Sequence, residues 1–202
     1  VLVSRSDRKR GGTSIVLADL QTRVAIEMSD SYQAKFIAGG KSLLITEGVE
    51  TPSVFEMNLN GEVVSRLADG TVTDVCDEAN AAIVLGQRPA KSPDDELFFL
   101  DLQTKELERI GSGARAVVFP NGKVLFTVGY ECKAMIWQKD QGKPRAIDSP
   151  PGYNVGPNRS PGATVASFYI MPPSSPDRLY NIYLFDSDTE LFSKVIVTLP
   201  SE

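Results

Sequence analysis

Histidine is absent from the 202-residue sequence. Without an imidazole, the chain holds neither a Ser-His-Asp nor a Cys-His catalytic arrangement, and it lacks the usual nitrogen ligand of zinc. The sequence also shows no other grouping of residues typical of catalysis. We therefore predict no catalytic residue, no cofactor and no metal site in this chain.

Cysteines and long apolar runs are scarce. Cys76 and Cys132 are the two cysteines; they can pair in an oxidising compartment, but we predict two free buried thiols. This count is compatible with a cytoplasmic location and with a periplasmic or extracellular one. No apolar run approaches the ~20 residues of a membrane-spanning helix, and no signal segment opens the chain. We expect a soluble protein without a membrane span.

Basic residues are outnumbered by acidic ones. The chain has 21 Lys and Arg against 26 Asp and Glu, a net charge of −5. General nucleic-acid binding needs a basic surface that displaces counterions from phosphates. We therefore expect no nucleic-acid partner.

One pattern recurs five times: an apolar run, Asp or Asn, a short turn and a second run. An example is "LFFLDLQTKELERI", and the other copies are "SIVLADLQTRVAIEM", "SVFEMNLNGEVVSRL", "AMIWQKDQGKPRAID" and "IYLFDSDTELFSKVI". Aligned turn residues fall at Thr22, Gly61, Thr104, Gly142 and Thr189. The spacing of 38 to 47 residues matches the period of a four-stranded propeller blade, roughly 40–45 residues.

The rest of each period supplies further strands. An apolar run precedes every hairpin, and in four periods another segment precedes that run. Gly39-Gly40 and Asn121-Gly122 provide the positive φ of tight hairpins. Helix signals are nearly absent. We predict an all-β fold, a β-propeller of four-stranded antiparallel blades, with about five blades and the first lacking one strand. The blades of this single or partial propeller, 1–202, are expected at 1–28, 33–67, 72–110, 114–148 and 152–199.

In "FPNGKVLFTVG" and in the turns "LDLQT" and "MNLNG" the sequence resembles the TolB-like propellers, whose blades carry a Pro-Asp-Gly-like hairpin and an Asp-Leu-x-x-Gly/Thr turn. The propeller domains of the prolyl oligopeptidase family are similar. "AGGKS" and "DEANA" depart from this pattern in two blades. Trp137 is similar to the Trp of WD repeats, although Gln138 replaces their Asp. The resemblance implies the fold and no functional residues.

A propeller ring must close, because an open end exposes a blade face and a strand edge. Three arrangements are compatible with the repeat. They are five blades with the first completed by an outside strand or by "GYNVGPNRSPGATV", a portion of a six- to eight-bladed ring, and a partial ring completed by another subunit. We favour the portion of a larger ring, because the chain lacks a starting Met. All three arrangements predict a partner at the chain ends, either another protein or another part of the same parent chain.

Two groups of residues are candidates for partner binding. The first lies in "SRSDRKRGG", expected to be a hairpin loop of the first blade, where four cations suit an acidic partner, a phosphate group or a lipid surface. These cations are Arg5, Arg8, Lys9 and Arg10. The second group lies on loops expected to share one face, where exposed Tyr and Arg are favoured interface anchors. Its members are Tyr32, Tyr130, Tyr153, Asn158 and Arg159. For both groups the alternative is an ordinary solvated loop.

Acidic residues at the repeated turns are interpreted as turn formers. "DSDTE", Asp186 to Glu190, is similar to the start of a calcium loop, but it lacks the Gly at the sixth position and the distal Glu. It also coincides with the repeated hairpin turn. Asp19, Asp101 and Asp186 are therefore assigned to the architecture and not to a metal site.

The sequence favours a non-enzymatic protein-interaction or scaffold propeller that binds a partner through its loops or open ends. One alternative is the propeller domain of a hydrolase or peptidase, with the chemistry supplied by another domain. Another is a propeller that binds a small ligand such as a sugar. That function predicts a pocket repeated in every blade, and the loops here do not repeat each other.

Overall fold

The computed structural model describes residues 2–7, 12–19, 23–28, 31–48, 50–86, 94–129, 132–172 and 180–196. These residues form eighteen β-strands in four antiparallel sheets. The only helical element among them is a 3-10 turn, Ala38–Gly40. In this part of the chain, no helix has the length and apolar character needed to cross a membrane.

The first two sheets are blades 1 and 2. Blade 1 consists of β1 (Leu2–Asp7), β2 (Gly12–Asp19) and β3 (Val24–Met28). Blade 2 consists of β4 (Ser31–Ile37), β5 (Ser42–Glu47), β6 (Ser53–Asn58) and β7 (Val63–Asp69). Each strand pairs with the next in the chain. Blade 1 has three strands, which confirms the prediction that it lacks one.

Blades 3 and 4 form one seven-stranded sheet. Its strands are β8 (Thr71–Cys76), β9 (Ala81–Leu85), β10 (Asp95–Asp101), β11 (Leu107–Val118), β12 (Lys123–Val128), β13 (Lys133–Gln138) and β14 (Arg145–Ala146). The first half of β11 pairs with β10 as the outer strand of blade 3, and the second half pairs with β12 as the inner strand of blade 4.

The continuity of β11 differs from the sequence prediction of a break between 110 and 114. The strand bends at irregular pairings instead of ending, and Arg115 adopts a positive φ of 49° at the bend. Gly113 permits the close packing there. A Cβ at this position would lie 2.6 Å from Phe126 Cδ2 and 2.7 Å from Leu97 Cδ1, so only glycine fits.

Blade 5 consists of β15 (Tyr153–Arg159), β16 (Val165–Met171), β17 (Asn181–Asp186) and β18 (Leu191–Lys194). Its strands also pair in chain order. The all-β fold with about five blades is confirmed. The assignment of residues 1–202 to one propeller domain with the blade limits given above stays a prediction.

Successive blades pack through four apolar layers. Between blades 1 and 2 lie Ile15, Leu43, Ile45 and Met57. Between blades 2 and 3 lie Leu44, Val54, Val84 and Leu100. Between blades 3 and 4 lie Leu97, Phe99, Phe126 and Trp137. Between blades 4 and 5 lie Phe119, Leu125, Phe168 and Phe185. Apolar side chains therefore alternate between the two neighbours of each central blade, because successive residues of a strand face opposite sides of its sheet.

The repeated turns are held by side-chain to backbone hydrogen bonds. Asp101 Oδ1 accepts from the N–H groups of Gln103 and Thr104 at 2.9 and 3.0 Å. Asp186 Oδ1 does the same in blade 5, with Asp188 and Thr189 at 2.8 and 3.1 Å. These Asx turns confirm the two aspartates as turn formers. Gly39, Gly40 and Gly122 have the positive φ predicted for them.

Candidate functional site

A cleft of about 650 Å³ lies between the inner strands of blades 2, 3 and 5. The inner strands β4, β8, β11 and β15 contact one another in succession, so this cleft occupies the concave side of the blade arc. Blade 2 contributes Lys35 and Phe36, blade 3 contributes Asp74, Asp77 and Glu78, and blade 5 contributes Arg159. Five of these six side chains are ionisable, which makes the cleft a charged site.

Arg159 reaches from blade 5 to blade 3. Its Nη2 donates to the carbonyl oxygen of Val75 at 3.0 Å and to Asp74 Oδ2 at 3.3 Å. Its Nη1 donates to the carbonyl oxygen of Ser160 at 2.9 Å. The Arg159 side chain is only 1% exposed. Since water barely reaches this guanidinium, the loss of Asp74 would leave a buried charge without its counter-ion.

Asp74 links three inner strands. It lies on β8, and its Oδ2 also accepts from the backbone N–H of Val118 on β11 at 2.9 Å. Together with Arg159 on β15, these bonds join blades 3, 4 and 5 at one carboxylate. The hydrogen bonds from these donors replace hydration that a partly buried carboxylate loses.

Asp77 and Glu78 follow β8 and form the acidic wall of the cleft. Both carboxylate oxygens of Asp77 accept backbone N–H groups of blade 2, from Ala38 at 3.0 Å and from Gly39 at 2.9 Å. Glu78 Oε2 accepts the Cys76 thiol at 3.3 Å. Hydrogen bonds from its own backbone N–H and from this thiol hold the pKa of Glu78 below its usual range. Burial raises the pKa of the Cys76 thiol.

Two cationic donors of the cleft have no acceptor in the part of the chain that the structure describes. Arg159 Nε is buried and makes no hydrogen bond. Lys35 is half-buried on β4, and no described residue pairs with its ammonium group. Buried polar groups in native proteins are nearly always hydrogen-bonded, so an unmet Nε–H marks a position for a missing acceptor.

Other charged residues clamp neighbouring blades together at their turns. Lys139 of blade 4 donates to Asp101 of blade 3 at 2.8 Å, and this bond together with the Asx-turn N–H groups lowers the pKa of Asp101 to about 2. Lys123 of blade 4 pairs with Glu190 of blade 5 at 2.8 Å. Hydrogen bonds from Arg145 and Lys123 hold the pKa of Glu190 below its usual range. These pairs are structural, because their partners are satisfied within the fold.

Blade 5 presents partly exposed apolar side chains on the side that faces away from blade 4. Phe168, Phe185 and Phe192 point toward blade 4. Their chain neighbours, which face the opposite side of the sheet, remain exposed: Tyr169 and Leu184 by 40% each and Leu191 by 66%. We call Tyr169, Leu184 and Leu191 the open face of blade 5.

The predicted partner-binding residues do not share one location in the structure. Asn158 is exposed on β15. Arg159 is on the same strand with a buried side chain, so its expected place on an exposed loop is wrong; its guanidinium bonds to Asp74 and Val75 of blade 3. Tyr32 and Tyr153 also lie within strands, and Arg5 lies within β1, not in the hairpin loop. Arg8, Lys9, Arg10 and Tyr130 lie outside the described residues.

The sequence analysis missed Lys35 and Asp74. Each is a single charged residue inside an otherwise apolar or β-branched inner strand, "QAKFI" and "TVTDVC". A charge at such a position predicts either a paired residue or a channel-lining one, because inner strands are covered on both faces. A single charge within an inner strand is therefore the sequence feature by which Lys35 and Asp74 could have been found. Cys76 is buried, Cys132 is half-buried, and no disulfide joins them.

Four-stranded antiparallel blades that pack face to face define the chain as a β-propeller. Comparison with solved structures shows which propellers have a similar fold. TolB from Acinetobacter baumannii matches with a TM-score of 0.62 at 14% identity, over 90% of this chain and 48% of that one. The β-propeller domain of the trilobed protease from Pyrococcus furiosus, described as having an open velcro topology, matches with a TM-score of 0.66 at 13% identity, over 96% and 66%.

An oligogalacturonate lyase from Vibrio parahaemolyticus matches with a TM-score of 0.69 at 15% identity, over 96% of this chain and 61% of that one. The chain thus has the fold of the TolB-like propellers, and it spans 48% to 66% of the length of these three chains. At these identities the likeness shows the fold alone. No protein-family model matches the sequence. No curated protein matches it either.

Proposed function

We propose that the chain is the five-blade portion of a non-enzymatic interaction propeller, and that its open face of blade 5 binds a further β-blade of the same parent polypeptide. The single observation that carries this proposal is the open face itself. Leu184 occupies the position that corresponds to Ile136 of blade 4, which packs against blade 5.

Blade 4 provides the direct comparison. On its strands β12 and β13, Leu125 and Ile136 are cross-strand partners, and both are buried against blade 5. On blade 5 the corresponding cross-strand partners on β16 and β17 are Ser167 and Leu184, and Tyr169 and Ile182 form the next pair on the same outward side. Blade 5 therefore carries apolar side chains on the side where blade 4 contacts its next neighbour. The partner that fits this side is the apolar face of another four-stranded blade.

The length comparison supports the same occupant. The matched propellers are longer than this chain, which spans 48% of TolB and 66% of the trilobed protease domain. A longer parent polypeptide would supply further blades in the same way as it supplies blades 2 to 5 here. Full burial of one exposed Leu side chain contributes about 1.5–3 kcal/mol, so burial of the remaining exposed area of the open face would favour the docking of such a blade.

The proposal predicts that Leu184→Asp acts differently in two settings. In the isolated 202-residue chain the new carboxylate stays in contact with water, and the loss of unfolding free energy is about 1 kcal/mol. In the full gene product the carboxylate is buried without a partner, and the loss rises by about 2 kcal/mol or more. Urea unfolding of both proteins measures the difference. Val64→Asp, on the exposed outer strand of blade 2, is the matched control.

An equal effect of Leu184→Asp in the two proteins would refute the proposal. A difference that grows with protein concentration would identify a second copy as the occupant, and it would also refute a blade of the same parent. The control must change little in either protein, because Val64 is 60% exposed and lies away from the open face.

The second candidate is a propeller domain of a hydrolase or peptidase. It is favoured by the likeness to the propeller domain of the trilobed protease. In that case the catalytic groups come from another domain, since the chain has no histidine. Hydrolysis of a peptide substrate by the full gene product, and not by the 202-residue chain, would support this candidate.

A further inference from the structure

We propose that the cleft between blades 2, 3 and 5 binds a singly charged carboxylate group of a small organic ligand, held between Lys35 and Arg159. This inference concerns the concave side of the arc, and it does not depend on what covers the open face of blade 5. It starts from the two cationic donors for which the described residues provide no acceptor.

Arg159 provides the first donor. Three hydrogen bonds occupy its terminal nitrogens, to Ser160, Val75 and Asp74. Nε is buried and has no partner. An Arg guanidinium matches a carboxylate in plane and in charge, so a carboxylate oxygen is a suitable acceptor for this N–H.

Lys35 provides the second donor from the opposite wall. It lies on β4 of blade 2, whereas Arg159 lies on β15 of blade 5, and both line the same cleft. The Lys35 ammonium is not engaged by any residue that the structure describes. A ligand carboxylate between them would accept a hydrogen bond from one donor on each wall and would thereby connect blades 2 and 5.

The acidic residues of the cleft restrict the charge of the ligand. Asp77 is satisfied by two backbone N–H groups and Asp74 by Val118 and Arg159. Glu78 is exposed and keeps its negative charge, because its pKa is lowered. The lining carries three carboxylates against the two cations Lys35 and Arg159, so its net charge opposes a dianion such as phosphate more than a monoanion. The cleft therefore favours a carboxylate over a phosphate.

The volume of the cleft and its apolar wall restrict the part of the ligand beyond the carboxylate. About 650 Å³ is within the usual volume of small-molecule sites, about 300–1,000 Å³. Phe36 lines the cleft and is 38% exposed, so it offers an apolar surface beside Lys35. A short uncharged organic body that ends in one carboxylate fits both features.

The turn after β15 borders the cleft beside Arg159. Ser160 accepts from the Arg159 guanidinium, and Pro161 and Gly162 line the cleft. Because Nε is buried in this structure, the proposal requires the lining of the cleft to shift before a ligand oxygen reaches it. The turn rests against Glu78, since a Cβ at Gly162 would lie 2.9 Å from Glu78 Oε1.

The test compares two ligands that differ in charge alone. N-acetyl-trialanine, which ends in a carboxylate, and its C-terminal amide are titrated into the 202-residue chain by isothermal calorimetry. We expect the acid to bind about tenfold more tightly than the amide, since a charge-assisted hydrogen bond is lost with the amide. Inorganic phosphate is the third arm, and we expect it to bind more weakly than the acid.

Three variants test the residues. Lys35→Gln is expected to weaken the acid about fivefold or more and to leave the amide unchanged. Arg159→Lys keeps the charge, removes Nε and weakens the acid, with circular dichroism showing that the blades remain folded. Lys41→Gln, an exposed cation outside the cleft, is the control and changes neither ligand.

Four results would overturn the inference. These are equal affinity for acid and amide, no binding of the acid at millimolar concentration, tighter binding of phosphate than of the acid, and equal effects of Lys35→Gln and Lys41→Gln. If Arg159→Lys unfolds the protein, the Lys35→Gln comparison decides the outcome alone.

Discussion

Replacement of Asp74 by Ala is the sharpest test of how the inner strands are held together. Asp74 accepts from the Arg159 guanidinium at 3.3 Å and from the Val118 N–H at 2.9 Å. Its removal leaves a cation that is 1% exposed without a counter-ion, and a backbone N–H without an acceptor. Loss of one partner from a buried ion pair costs about 3–5 kcal/mol.

We therefore expect Asp74→Ala to lower the free energy of unfolding by about 4 kcal/mol. Asp74→Asn keeps an acceptor for Val118 and is expected to cost about half as much. The assay is urea unfolding followed by the fluorescence of Trp137, the single Trp, which is buried between blades 3 and 4. Asp69→Ala is the matched control, since the Asp69 side chain is 77% exposed and its pair with Arg66 is worth less than about 1 kcal/mol.

The double variant Asp74→Ala/Arg159→Met tests whether the buried charge is the cause. Without the guanidinium, the penalty for an unpaired cation disappears, so the double variant is expected to be about 2 kcal/mol more stable than the sum of the single effects. A loss below about 1 kcal/mol for Asp74→Ala, equal to that of Asp69→Ala, would refute the role of this pair.

Three further predictions concern the blade contacts. The pKa of Asp101 is lowered to about 2, so the stability that this carboxylate adds to the fold is present above the usual carboxylate pKa and is lost as pH falls toward 2. Without the Lys139 ammonium the pKa of Asp101 is lowered less, so melting curves of Lys139→Met should show a smaller loss of stability between pH 5 and 2. Gly113→Ala should cost about 1–3 kcal/mol in urea unfolding through overpacking against Phe126, and a change within 0.5 kcal/mol would contradict the clash. Phe168→Ala should cost about 3–5 kcal/mol, because Phe168 is fully buried between blades 4 and 5.

The repeat made most of the architecture predictable from the sequence. Asx turns depend on residues two and three positions away, so the pattern around Asp101 and Asp186 carries its structure locally. The Asn121-Gly122 hairpin is equally local. Apolar runs on both sides of each turn then follow the period of a blade.

The joining of blades 3 and 4 was not predictable in the same way. β11 continues through Gly113, which lies against Phe126 and Leu97 on other strands. Contacts between distant residues decide whether such a strand breaks or bends, and no local pattern in "ERIGSGARAVV" records them.

The candidate site was harder to predict than the fold. Arg159 and Asp74 are 85 positions apart, and only the blade order brings them together. The sequence analysis therefore assigned Arg159 to an exposed loop, where Arg is common. Lys35 belongs to the same cleft for a topological reason, since β4 and β8 are neighbouring inner strands. Single charges within inner strands are the signal that a sequence offers for such a site.

Labelling of a cysteine at position 184 shows whether a further blade covers the open face of blade 5. In a Cys132→Ser background, Leu184→Cys is treated with a maleimide reagent in the 202-residue chain and in the full gene product, with Val64→Cys as the exposed control. If a further blade covers the open face, position 184 is labelled in the isolated chain and protected in the full gene product, while position 64 is labelled in both. Equal labelling of position 184 in the two proteins would contradict the proposal that a further blade covers this face.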